Sequence, residues 1–199
     1  MINLPNILTL FRIGLIPFLV ILFYLPVTWG HAAAAALFAA GSFTDWLDGY
    51  LARSLKQLTP LGAFLDPVAD KLLVSVALIL IVGEQPQYEW MANLSDFYMM
   101  SIAAITIPAA IIVCREIVVS ALREWMAEMG KRTSVAVSWL GKVKTTAQMI
   151  SLIVLLSCDA HSSALIVIPG YLLLYCSAVL TIWSMILYLK AAWPELRRE

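Results

Sequence analysis

The sequence predicts an all-α polytopic membrane protein with six transmembrane helices and both termini in the cytoplasm. Three observations predict it. First, 62% of the 199 residues are hydrophobic and 13% are charged, whereas soluble domains run near ~45–50% apolar and ~25% charged. Second, the apolar residues fall into six runs, each close to the ~20 residues that a helix needs to cross a hydrocarbon core of ~30 Å. Third, the segments 26–33, 84–97 and 159–164 contain no Lys or Arg, and all thirteen basic residues lie toward the other side. The positive-inside rule then puts those three segments outside and the termini inside. Little soluble mass remains, and no nucleic-acid partner is expected.

The six spans are expected at about 6–28, 32–54, 62–83, 98–123, 140–158 and 165–190. The first lacks a basic n-region, and its apolar run to Trp29 is too long for a signal peptide, so it is expected to be retained. The second begins in the Ala32–Ala36 run and ends in Asp45 and Asp48. The third follows Pro60 and carries Asp66 and Asp70 in its first turns. The fourth closes on Arg115 and Arg123, the fifth opens on Lys142 and Lys144, and the sixth ends at Lys190. Pro26, Gly30, Pro60, Gly83, Pro86 and Gly130 fall in or near the breaks, where helix breakers belong. With no repeat and no linker, residues 1–199 form one domain.

Carboxylates inside membrane-grade sequence are costly and mark function. Here four are threaded through the pattern Asp45-x2-Asp48-Gly49-x2-Ala52-Arg53-x8-Gly62-x3-Asp66-x3-Asp70. Residues three and four apart share a helical face, so Asp45, Asp48, Gly49, Ala52 and Arg53 form one stripe. Gly62, Asp66 and Asp70 form a second. A short connection around Pro60 folds the two helices into an antiparallel hairpin whose acidic stripes face each other near the inner membrane surface. Such a cluster repels itself unless it is neutralised. Hard divalent cations prefer carboxylate oxygens, and no His or Cys lies nearby, so Mg²⁺ or Mn²⁺ fits better than zinc. Two ions are a common arrangement for phosphoryl chemistry. Gly49, Ala52 and Gly62 either let a nucleotide diphosphate approach the backbone or permit tight helix packing. A proton or metal pathway in a transporter is the rival for the acids. It predicts charges near the midplane on broken helices, whereas these cluster toward one face beside Arg53, Lys56 and Lys71.

The pattern over 45–70 resembles the signature of the CDP-alcohol phosphatidyltransferases at all eight fixed positions. The resemblance implies six membrane helices, a homodimer, and a site open to the cytoplasm. It implies that Asp45, Asp48 and Asp66 ligate metal. Asp70 is then the general base and also close to the metal. Asp48, Gly49, Ala52, Arg53 and Gly62 are then expected around CDP-diacylglycerol. The opening Pro5-Asn6-x2-Thr9-x2-Arg12 is similar to the family's usual first helix, where these polar residues lie near the nucleotide. Read by themselves, Asn6 could equally cap the helix and Arg12 snorkel to the interface.

The downstream segments Arg115-Glu116-Ile117, Leu122-Arg123-Glu124 and Gly141-Lys142-x-Lys144-Thr145-x2-Gln148 resemble the bacterial branch of the family that uses sn-glycerol 3-phosphate. That implies phospholipid biosynthesis in a bacterial inner membrane, with phosphatidylglycerophosphate and CMP as products. Phosphatidylglycerol, serine or inositol phosphate are the alternative acceptors. The residues agree with a phosphorylated acceptor, since phosphate is bound by Arg and Lys. Arg115 and Arg123 share a face of the fourth helix. Lys142 and Lys144 begin the fifth, where free N–H groups add anion affinity. Glu116, Ser120, Glu124 and Glu128 form another stripe, expected to be a solvated extension. Cys114, Cys158 and Cys176 show no ligand spacing and are expected to be buried apolar residues. His31 and His161 lie in outer loops, away from the acids. Trp29, Tyr88, Trp90, Trp139 and Trp193 fit aromatic belts at the two interfaces.

Overall fold

A computed structural model describes residues 4–54, 60–84, 88, 98–129 and 139–196. Those residues form six helices: α1 Leu4–Tyr24, α2 Gly30–Ser54, α3 Pro60–Glu84, α4 Tyr98–Glu128, α5 Trp139–Leu156 and α6 Ala164–Leu196. The expected spans and the observed helices differ by a few residues at their ends. The largest differences are at the C-termini of α4 and α6, which run past the apolar stretch. The chain is a multi-pass membrane protein. By length and composition, α1, α4 and α6 are each apolar enough to cross a bilayer over Asn6–Tyr24, Ala103–Glu128 and Ala164–Trp193.

The helices alternate in direction. Side-chain bonds join the start of α1 to the end of α2 and the start of α3. At the opposite end, His31 at the start of α2 meets Glu84 at the end of α3, 3.3 Å apart. Helix α1 packs on α2 and α3, α4 on α3 and α6, and α5 on α2, α3 and α6. All six helices contribute to one core, through Leu19, Phe38, Leu73, Ile112, Leu152 and Leu174 among others. Lipid is as apolar as these side chains, so their packing holds by dispersion and close fit more than by the hydrophobic effect.

Two glycines permit close approaches. A Cβ on Gly30 would stand 2.8 Å from the Leu22 carbonyl oxygen and 3.1 Å from that of Leu25, so the reversal from α1 to α2 has no room for a side chain. A Cβ on Gly170 would stand 2.9 Å from Leu155 Cδ2. There α5 and α6 touch closely enough for the Ser151 hydroxyl to donate to the Gly170 carbonyl at 2.8 Å. The turn before α6 is held by Asp159, whose carboxylate accepts from the Ser162 hydroxyl at 2.8 Å and the His161 N–H at 3.1 Å. The Ser162 bond holds that carboxyl below its usual range. Ser163 caps α6 through the Leu165 N–H.

Two expectations are corrected. Tyr88 is not in an aromatic belt: it is buried against Cys158 and Val167, and its hydroxyl bonds to Tyr171. Trp29 and Trp193 are exposed, as a belt requires. Trp90 and the side chain of Trp139 lie outside the described residues. Of the cysteines only Cys158 is buried; Cys114 and Cys176 are on the outer surfaces of α4 and α6, where an apolar thiol meets lipid at little cost.

Candidate active site

Helix α1 is apolar along most of its length, but Asn6, Thr9 and Arg12 recur every three residues and turn into the bundle. All three are buried, Arg12 completely. Arg12 therefore does not snorkel to the interface. Its Nη1 donates to Asp45 Oδ1 at 2.5 Å, and the Asp45 carboxylate is 41% exposed. One turn earlier, the Thr9 hydroxyl donates to Asp66 Oδ1 at 2.6 Å. The two acidic stripes of α2 and α3 thus share α1 as a common partner. Asp70 is half-buried and lies within electrostatic range of Asp45, Glu116, Arg12 and Lys71. The expected hairpin does bring acids from α2 and α3 together, at the end of the bundle where α1 begins.

Gly62 is buried at the start of α3. Asp48, Gly49, Ala52 and Arg53 lie on the last turns of α2, and Lys142 on the first turn of α5. Only their helical backbone is described, and their side chains lie outside the described residues. Among the described residues, no three His, Cys, Asp or Glu side chains form a group that could hold an ion. The donor chemistry still fits a hard divalent cation, because Asp45, Asp66 and Asp70 offer carboxylate oxygens.

A second cluster adjoins the acids. Arg115 Nη1 and Lys144 Nζ each donate to Glu116 Oε1, both at 2.9 Å. Arg115 Nη2 donates to the Ser184 hydroxyl at 2.9 Å. The Tyr188 ring lies beneath both guanidiniums, 5.7 Å from Arg115 and 5.0 Å from Arg123, and its hydroxyl accepts from Arg123. Lys71, next to Asp70, donates to the Ser120 hydroxyl. The structure thus brings together Arg115, Arg123 and Lys144, three of the four cations expected to bind an acceptor phosphate.

The family model for CDP-alcohol phosphatidyltransferase matches residues 2–183. The chain belongs to the CDP-alcohol phosphatidyltransferase family. A protein of Yersinia enterocolitica serotype O:8 / biotype 1B is 53% identical over 194 residues, covering 98% of this chain and 97% of its own length. One of Escherichia coli strain K12 is 51% identical and one of Yersinia pestis strain Pestoides F is 52% identical, with the same coverage. Each is named CDP-diacylglycerol–glycerol-3-phosphate 3-phosphatidyltransferase. The family requires a divalent metal.

Glu116 and Ser120 turn inward, which helical periodicity alone does not show. The spacing predicts a solvated stripe, but of its four residues Glu124 and Glu128 are exposed and Glu116 and Ser120 are half-buried. Glu116 is drawn inward by the cations of α4 and α5, and Ser120 by Lys71. Ser184 and Tyr188 carried no signal, being a hydroxyl and an aromatic in a span whose only charge is at its end. The histidines are remote, as expected: His31 pairs with Glu84 at the far end, its ring edge-on to Phe23 at 4.9 Å.

Proposed function

We propose that this chain transfers the phosphatidyl group of CDP-diacylglycerol to sn-glycerol 3-phosphate, giving phosphatidylglycerophosphate and CMP in phospholipid biosynthesis. One observation of the fold supports it above the others. A carboxylate cluster from α2 and α3 adjoins a cationic cluster from α4, α5 and α6 at one end of the bundle. The reaction needs both, one to manage a diphosphate and one to hold the acceptor's phosphate.

The donor's acyl chains stay in lipid while its diphosphate reaches the acids. Asp45, Asp48, Asp66 and Asp70 would hold Mg²⁺ or Mn²⁺, in two ions, whose charge would offset that of the diphosphate and of CMP. Arg12 and Thr9 fix the carboxylates of Asp45 and Asp66 against the pull of their neighbours. Asn6 and Thr9, with Gly49, Ala52, Arg53 and Gly62, line the nucleotide's side. Arg115, Arg123, Lys142 and Lys144 take the acceptor's phosphate. That leaves its sn-1 hydroxyl toward Asp70, which accepts the hydroxyl proton as general base. The alkoxide oxygen bonds to the β-phosphorus, the bond from that phosphorus to the CMP oxygen breaks, and CMP departs. A covalent phosphoryl-enzyme is not required, because the acceptor hydroxyl attacks directly.

The distribution of Lys and Arg supports a cytoplasmic site in a bacterial inner membrane. A single domain and a homodimer are what membership of the family implies for this chain. The experiment is CMP release by purified protein in detergent, with CDP-diacylglycerol and a divalent metal, and with glycerol 3-phosphate present or omitted. Release that needs both metal and glycerol 3-phosphate is expected. Release only with another alcohol overturns the acceptor. No release with any acceptor, together with metal flux into sealed vesicles, overturns the activity.

A further inference from the structure

We infer that Glu116 is the positioning residue of the acceptor-phosphate site: one carboxylate oxygen holds Arg115 of α4 and Lys144 of α5 at a fixed spacing for a phosphate to bridge. The inference rests on the activity proposed above and adds to it a residue that touches neither substrate.

Arg115 and Lys144 carry like charges on different helices, and nothing in their own chemistry would hold them together. Both donate to the same atom, Glu116 Oε1, at the same 2.9 Å. The three side chains are mostly shielded, at 11% exposure for Arg115, 24% for Glu116 and 3% for Lys144. Two shielded cations without an anion between them would repel each other and draw apart or neutralise. The guanidinium is further fixed by Ser184 and by the Tyr188 ring. Its buried Nε has no partner among the described residues. With Arg123 also over the Tyr188 ring, the cluster keeps a surplus of two positive charges. That surplus matches a phosphate dianion. Glu116 also stands within electrostatic range of Asp70, so the spacing it sets connects the phosphate to the base that the hydroxyl must reach. A phosphate bound between correctly placed cations loses less freedom on binding than one that must gather them.

The test is a steady-state comparison of wild type, Glu116→Gln and Glu116→Asp in detergent, varying glycerol 3-phosphate and CDP-diacylglycerol separately. Gln keeps the shape and loses the charge, exchanging charge-assisted bonds for weaker neutral ones. The KM for glycerol 3-phosphate is expected to rise about 10-fold. The KM for CDP-diacylglycerol should stay within about 2-fold, since the donor makes no use of this cluster. Asp, which restores the charge one methylene shorter, should recover part of the loss. An acceptor KM that is unchanged or lower in Glu116→Gln overturns the inference, as does an equal rise in both KM values or an Asp variant no better than Gln. Thermal unfolding of each variant checks the fold. If the Gln variant fails to fold, the Asp variant decides alone: a selective rise in acceptor KM supports the inference and an unchanged one overturns it. Wild-type CMP release that ignores glycerol 3-phosphate overturns the activity and the inference together. Release that requires it, with no selective effect in the variants, overturns the inference alone.

Discussion

Replacing Arg12 tests whether a site residue also holds the bundle together. The Arg12 side chain is fully buried and donates to Asp45 at 2.5 Å, while the Asp45 carboxylate is 41% exposed. A hydrogen bond between charged groups contributes roughly 1.5–3 kcal/mol net. Asp45 regains water on its open side when the guanidinium is removed, which lowers the expected loss in Arg12→Leu to about 1–2 kcal/mol. A chain of this size loses about 2–4 °C of Tm per kcal/mol, so the midpoint should fall by ~2–8 °C. Arg12→Lys keeps the charge but not the planar fork, and should lose less than half as much. The assay is thermal unfolding of the purified protein in one detergent, followed by intrinsic fluorescence. A midpoint within about 1 °C of wild type in Arg12→Leu, well inside the bond's expected worth, would refute the reasoning. So would Arg12→Lys falling as far as Leu, because the charge would then contribute nothing.

Asp70→Asn should lower turnover by about 10²–10⁴-fold, the usual worth of a general base; near-normal turnover would sink the assignment. Arg115→Ala should raise the KM of glycerol 3-phosphate more than that of CDP-diacylglycerol, and equal rises would point to a structural role. Removing divalent metal with a chelator should abolish CMP release, and adding back Mg²⁺ or Mn²⁺ should restore it; activity that survives chelation would remove the aspartates from metal binding. Gly30→Ala should cost about 1–3 kcal/mol by forcing backbone apart, because its Cβ would meet two carbonyl oxygens. Gly14→Ala, with nothing within 4 Å of the new Cβ, should be neutral or slightly stabilising through helix propensity. Equal midpoints for the two glycine variants would contradict the close turn from α1 to α2.

The helix count and the acidic hairpin were legible because each is a local pattern. Apolar runs set the spans, and three- and four-residue spacing put Asp66 with Asp70 and Arg115 with Arg123 on shared faces. What a face meets is not local. Arg12 had two readings in the sequence, and only its burial against Asp45, 33 residues on, decides between them. Glu116 sits about 100° around the helix from Arg115, on a stripe that otherwise ends in the exposed Glu124 and Glu128. Periodicity therefore grouped it with them, and only α5 packing beside α4 gives it Lys144. Ser184 and Tyr188 are 69 and 65 residues from their arginine partners. At that distance a sequence gives no reason to choose them over other polar residues of α6.

The contacts that make the site also specify the helix arrangement. Arg12 ties α1 to α2, Thr9 ties α1 to α3, and Lys71 ties α3 to α4. Glu116 ties α4 to α5 through Lys144, and Arg115 and Arg123 tie α4 to α6. Every helix is thereby joined to another at the end that carries the acids. Apolar side chains gain little from leaving lipid for one another, so the core of Leu19, Phe38 and Leu152 fits many arrangements of similar energy. Polar groups in a low-dielectric setting do not, because each mispaired one is costly. The charges needed to hold two phosphates therefore also restrict which helices can be neighbours. A substitution among them changes fold and turnover together. Only a comparison that separates the two, by KM against turnover and by midpoint against activity, assigns a residue of this cluster to the chemistry.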